Sequence, residues 1–126
     1  MIEPLIEELF KPVTDDELRD RIAVRRRQAE SDYRKLRHKC TRVQIEAADE
    51  FIAAVEEKGC FLVSASTWKV DLYMRFSGGS VLGMEFSKLG RHVFVYPDAE
   101  YAFGGHRYRD VNRMVTMAMH GPQPND

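Results

Sequence analysis

Between Cys60 and Tyr96 the apolar residues recur with a period of two, and this constrains the fold more than any other feature of the chain. In KVDLYMRF, Val70, Leu72, Met74 and Phe76 alternate with Lys69, Asp71, Tyr73 and Arg75. In SVLGMEFS, Leu82, Met84 and Phe86 alternate with Val81, Gly83 and Glu85, so each run offers one face to a core and one to water. CFLVSAS before them and RHVFVY after them add further strands. Ser77-Gly78-Gly79 is a turn, and Lys88-Leu89-Gly90 has the form of a three-residue hairpin loop with glycine at the position that needs positive φ. Trp68 falls in an expected turn, Ser66-Thr67-Trp68-Lys69, and Tyr101-Ala102-Phe103 forms a short edge strand. The expectation is a four- to five-stranded antiparallel meander over residues 60–105.

The flanking segments have helical period. Residues 2–10 place Ile2, Leu5, Ile6, Leu9 and Phe10 on one side until Pro12 ends the helix. Thr14 and Glu17 then have capping-box spacing, with Val13 and Leu18 at the staple positions, and the helix that follows runs to about His38. Its apolar stripe, Leu18, Ile22, Ala29, Tyr33, Leu36 and Cys40, is narrow. A second box, Thr41 with Gln44, opens another helix with Ile45, Ala48, Phe51, Ile52 and Val55 on one face and Gly59 as its left-handed stop. The two make a helical hairpin over residues 14–59. Near the end, Asp110 caps a helix over residues 110–120 bearing Val111, Met114, Val115, Ala118 and Met119, closed by Gly121 and Pro122, with residues 121–126 as a frayed tail. Fold class follows: α+β, with an N-terminal helical hairpin, an antiparallel meander and a C-terminal amphipathic helix, in one domain spanning residues 1–126.

With 126 residues, 44% of them hydrophobic and 31% charged, such a domain buries roughly two-thirds of its unfolded surface. No apolar run approaches the roughly 18 residues of a membrane span, and MIEPLIEELF carries glutamates where a signal peptide needs bases. A helix of about 17 residues between Cys40 and Cys60 separates their Cα atoms by ~25 Å, far beyond disulfide reach. Free thiols and an untargeted chain point to a cytoplasmic protein.

The formal net charge of −1 conceals segregation. Residues 1–18 hold six acids and one base, residues 19–42 ten bases and three acids, and residues 43–59 five acids and one base. The basic segment supplies the candidate partner-binding residues Arg21, Arg25, Arg26, Arg27, Arg34, Lys35 and Arg37, with Tyr33 for stacking. Arginine and tyrosine are the residue types of interface anchors, which makes a protein partner with an acidic surface the first expectation. The same helix suits phosphates, so nucleic acid is the alternative, and its heptad-like steps allow pairing in a homodimer. Glu46, Asp49, Glu50, Glu56 and Glu57 on the neighbouring helix are positioned to neutralise part of this charge.

A second candidate is Gly104-Gly105-His106-Arg107-Tyr108-Arg109-Asp110. A metal-independent ribonuclease needs a proton donor and acceptor with cations on the phosphate, and His106, Arg107 and Tyr108 are residues of that kind. In the order of its helices and meander, and in GHRYRDV before the last helix, the stretch 69–119 resembles the small bacterial messenger-RNA interferase toxins. That resemblance implies ribonuclease activity at these three residues. The family's strand ahead of the helices and its basic middle strands have no counterpart, since Asp71 and Glu85 sit there among few cations.

No metal site is expected, because His38, Cys40, Cys60, His92, His106 and His120 lack ligand spacing. Phosphate-binding loops, dinucleotide fingerprints and nucleophile elbows are absent from the sequence, and no cofactor is expected. Met74, Met84, Met114 and Met119 read as core. The chain therefore reads as a non-catalytic binding protein, a small inhibitor or accessory factor of the kind phages and mobile elements encode. It would act through its Arg-rich helix.

Overall fold

The computed structural model of the chain describes residues 14–69 and 79–121. The fold is α+β: α1 (Asp15–Leu36), a 3₁₀ turn (Arg37–Lys39), α2 (Arg42–Glu56), strands β1 (Leu62–Lys69), β2 (Ser80–Phe86), β3 (Val93–Val95), β4 (Tyr101–Phe103) and β5 (His106–Tyr108), then α3 (Val111–His120). The strands form one antiparallel sheet in the order β1-β2-β3-β4-β5. The helix expected over residues 2–10, the strand residues from Val70 to Phe76 with the Ser77-Gly78 part of their turn, and the tail from Pro122 lie outside the described residues.

Both capping boxes form. Thr14 Oγ1 accepts from the Glu17 amide at 3.1 Å, and Thr41 Oγ1 accepts from the Gln44 amide at 3.2 Å while Gln44 Oε1 accepts from the Thr41 amide at 3.1 Å. Such a cap contributes about 1 kcal/mol. Gln44 does more than cap: it is fully buried, and its Nε2 donates to the carbonyls of Ser80 and Val95 at 2.7 Å each. One amide thus satisfies the start of α2, the start of β2 and the end of β3, and Thr41 Oγ1 donates at 2.6 Å to Pro97 O beside them. Leaving those buried carbonyls unpaired would cost on the order of 1–3 kcal/mol.

Helix α1 packs on β1, and α2 and α3 cover the strands beyond it. Leu82, Met84, Phe86, Val93, Val95 and Tyr101 face these helices and are buried with Phe51, Val55 and Met114. Phe51 meets Phe86 edge-on with centroids 5.3 Å apart, and the Tyr101 hydroxyl donates to Ala47 O at 2.6 Å. Burial of that phenol raises its pKa. The C-terminal helix matches the sequence reading: Asp110 Oδ1 accepts from the Asn112 amide at 3.1 Å, and Gly121 closes it at φ 73°.

Four expectations are corrected. Ser66–Lys69 is strand and not turn, since β1 keeps its register with β2 through Trp68↔Val81 and Lys69↔Ser80. Val81 and Gly83 are buried although they face away from the helices, and over Gly83 the Trp68 and Phe94 rings lie on that face. The residue with positive φ in the loop after β2 is Lys88, at 67°, and not Gly90. Finally, Tyr101–Phe103 is not the edge: Gly104 and Gly105, both at positive φ, turn the chain into β5, which pairs with β4 and becomes the outer strand.

Candidate partner-binding surface

Helix α1 has two unlike halves. Ala29 and Tyr33 are buried against the body of the protein, whereas residues 14–28 are exposed apart from the half-buried Ala23. At ~1.5 Å per residue, Asp15–Gln28 presents about 20 Å of helix to solvent. The apolar stripe does not stop where the packing does. Leu18, 50% exposed, and Ile22, 41% exposed, continue the line of Ala29 and Tyr33 into the open, and Val24 is exposed on another side.

The structure divides the basic candidates into two groups. Arg26 is engaged, with Nε 3.3 Å from Glu30 Oε1, Nη2 3.8 Å from Glu56 Oε1, and its guanidinium 5.1 Å over the Phe61 ring. Arg37 reaches Asp49 Oδ2 at 3.1 Å and lies over the Tyr33 ring. Tyr33, expected on the surface for stacking, is buried and donates its hydroxyl to Asp49 Oδ1 at 2.7 Å. The cause of this correction is its place in line with Ala29 on the packed side of the helix. Burial, followed by the Asp49 carboxylate, raises the Tyr33 pKa. Arg21, Arg25, Arg27, Arg34 and Lys35 are exposed and form no ion pair among the described residues. The acidic face of α2 thus neutralises Arg26 and Arg37 and leaves the other five available.

Where α1 diverges from α2, an open groove of about 360 Å³ lies between them, lined by Tyr33, Arg34, Asp49, Ile52, Glu56 and Leu62. A second cleft of about 520 Å³ runs beside β5 and the start of α3, lined by His106, Arg107, Tyr108, Arg109, Asp110 and Arg113 among others. Strand alternation places His106 and Tyr108 on one side of β5 and Arg107 on the other. Arg107 Nη1 lies 3.2 Å from Glu100 Oε1, with its guanidinium 4.8 Å over the Tyr96 ring, and Arg109 Nη2 lies 2.7 Å from Asp98 Oδ2. The three residues of the ribonuclease reading are therefore neighbours in space and all line this cleft, with Arg107 engaged by Glu100.

Cys40 and Cys60 are unbonded, and Cys60 is buried with Sγ 3.5 Å from Met119 Sδ. Among the described residues no three histidine, cysteine, aspartate or glutamate side chains group as metal ligands. No helix there is long and apolar enough to cross a membrane.

The residue pattern did not disclose the aromatic outer face of the sheet. Its one sequence signal is Gly83, a strand glycine among large residues: a Cβ there would come within 2.8 Å of Trp68 Cζ3, so the indole lies directly across it. The chain matches no protein-family model, no curated protein and no solved structure.

Proposed function

We propose that this is a non-catalytic binding protein that docks on an acidic protein surface through the projecting half of α1, in the manner of a small inhibitor or accessory factor. One observation carries the reading: the apolar stripe that anchors α1 to the body continues past the body through Leu18 and Ile22, beside the unpaired Arg21 and Arg25. Covering an exposed leucine or isoleucine fully is favourable by roughly 1.5–3 kcal/mol per side chain. Arginines at the margin of such a stripe steer an acidic partner and add charge-assisted hydrogen bonds.

The test is affinity isolation from cells of the source organism, with the wild-type chain and the Arg25→Glu/Arg27→Glu variant as baits. Both positions are exposed, so the variant should fold, as circular dichroism will verify. A protein recovered in stoichiometric amount by the wild type, resistant to nuclease and lost with the variant, is the expected result. Recovery of the same proteins by both baits would refute the reading. Recovery that nuclease removes would transfer the basic helix to nucleic acid, whose binding should weaken steeply with salt.

A further inference from the structure

The sheet has a second surface whose chemistry is separate from that of α1. On the side away from the helices, Ser64, Ser66 and Trp68 of β1 face the same way as Val81, Gly83 and Glu85 of β2 and Phe94 of β3. Trp68 extends back over Gly83 and is still 46% exposed. Phe94 stands nearly perpendicular to it, with centroids 5.7 Å apart at 81°, and His92 stacks on the other ring of that pair, Phe94, at 6.0 Å and 13°. Two aromatic walls therefore meet at a corner open to solvent.

Glu85 is the next outward residue along β2 after Gly83, which places its carboxylate beside that corner. Ser64 Oγ donates to Glu85 Oε1 at 2.9 Å, and His92 Nε2 lies 3.1 Å from the same oxygen. Oε2 has no hydrogen-bond partner among the described residues, and no lysine or arginine there pairs with this carboxylate. The side chain is 43% exposed. An indole face and a carboxylate with no lysine or arginine partner among the described residues attract the same kind of group, since the ring quadrupole and the anion both favour a cation. A phosphate or a nucleic-acid backbone would be repelled by the Glu85 carboxylate.

The geometry points to a binding site for an arginine or lysine side chain of a partner protein at the Trp68–Phe94–Glu85 corner. The guanidinium or ammonium lies against the Trp68 ring and donates a hydrogen bond to the free oxygen of Glu85. Phe94 fixes the orientation of the indole, and Ser64 and His92 fix that of the carboxylate. This site does not depend on α1, and its success or failure leaves the reading of that helix untouched.

Trp68 is the one tryptophan in the chain, so intrinsic fluorescence reports on this corner without a label. The probe is a short blocked peptide with a central arginine, titrated against an otherwise identical peptide with neutral citrulline. A saturable change in Trp68 emission is expected with the arginine peptide, and the citrulline peptide should bind about tenfold more weakly, as loss of one charge-assisted contact implies. Glu85→Gln, checked for unchanged folding by circular dichroism, should weaken the arginine peptide by a similar factor. No saturable response, an equal response to citrulline, or an arginine response that Glu85→Gln leaves intact would each overturn the assignment.

Discussion

The two halves of α1 share a sequence character and differ in surroundings. From Asp15 to Leu36 the same narrow apolar stripe recurs among arginines, yet Ala29 and Tyr33 are enclosed by β1 and α2 while Leu18 and Ile22 stand in water. Near the enclosed half some charges are consumed internally, Arg26 at its border by Glu30 and Glu56 and Arg37 just past its end by Asp49, while Arg34 and Lys35 stay exposed. In the projecting half Arg21, Arg25 and Arg27 have no such partner among the described residues. What distinguishes a packed stretch from an exposed one here is where the supporting surface ends, and composition changes little across that boundary.

The harshest way to break the contrast is to place the chemistry of the projecting half inside the enclosed one. Ala29 is 1% exposed, and Ala29→Arg forces a long cation into a packed site with no room for it. A loss of about 3 kcal/mol or more is expected, read as a large fall in the denaturation midpoint. The same change at Val24, in the exposed half, should stay within about 0.5 kcal/mol. Equal effects at the two positions would erase the distinction.

Tyr33→Phe is milder, because it keeps the packing and removes one hydrogen bond to a carboxylate, at a cost of about 1–2 kcal/mol. Its sharper signature is alkaline. The folded state raises the pKa of Tyr33 and of Tyr101, so it retains protons that the unfolded chain releases above pH ~10. Stability from these shifts is fully present below that pH and is lost as pH rises above it, at up to about 1.4 kcal/mol per pH unit for each phenol. Urea denaturation between pH 9 and 11 should show a steep decline in the wild type and a shallower one in Tyr33→Phe. Identical slopes would mean that Tyr33 is not held as described.

Local signals in the sequence marked the elements and their faces, and failures arose where a residue acts over distance. Thr14 with Glu17, Thr41 with Gln44, and Asp110 with Gly121 mark helix ends because a cap is a contact between near neighbours. The inward set Leu82, Met84 and Phe86 is legible for the same reason, since a strand alternates strictly. Gln44 was legible as a cap but not as the bond to Ser80 and Val95, which lie 36 and 51 residues away. Trp68 was misplaced because Ser66-Thr67 has turn composition, while pairing with β2 continues through it and Gly83 makes room for its ring. In the candidate surface, the arginines were visible in the sequence, but their division into engaged and available was not. That division depends on which of them reach Glu30, Asp49 and Glu56 in the folded chain.

The smallest stability effect carries the most functional weight. Leu18 and Ile22 are about half exposed and lie outside the buried core, so Leu18→Ser/Ile22→Ser gives up little on folding. Serine's lower helix propensity costs only a few tenths of a kcal/mol at each site, and the Thr14–Glu17 box that starts the helix is left intact. The change in unfolding free energy should therefore stay within about 1 kcal/mol. If the stripe exists to be covered by a partner, the same double substitution should reduce capture of that partner at least tenfold, because it removes most of the ~3–6 kcal/mol that covering two large aliphatic side chains can supply. A variant that unfolds would return these residues to the fold, and a stable variant that still captures the partner would remove the apolar stripe from the interface and leave the arginines alone to account for it.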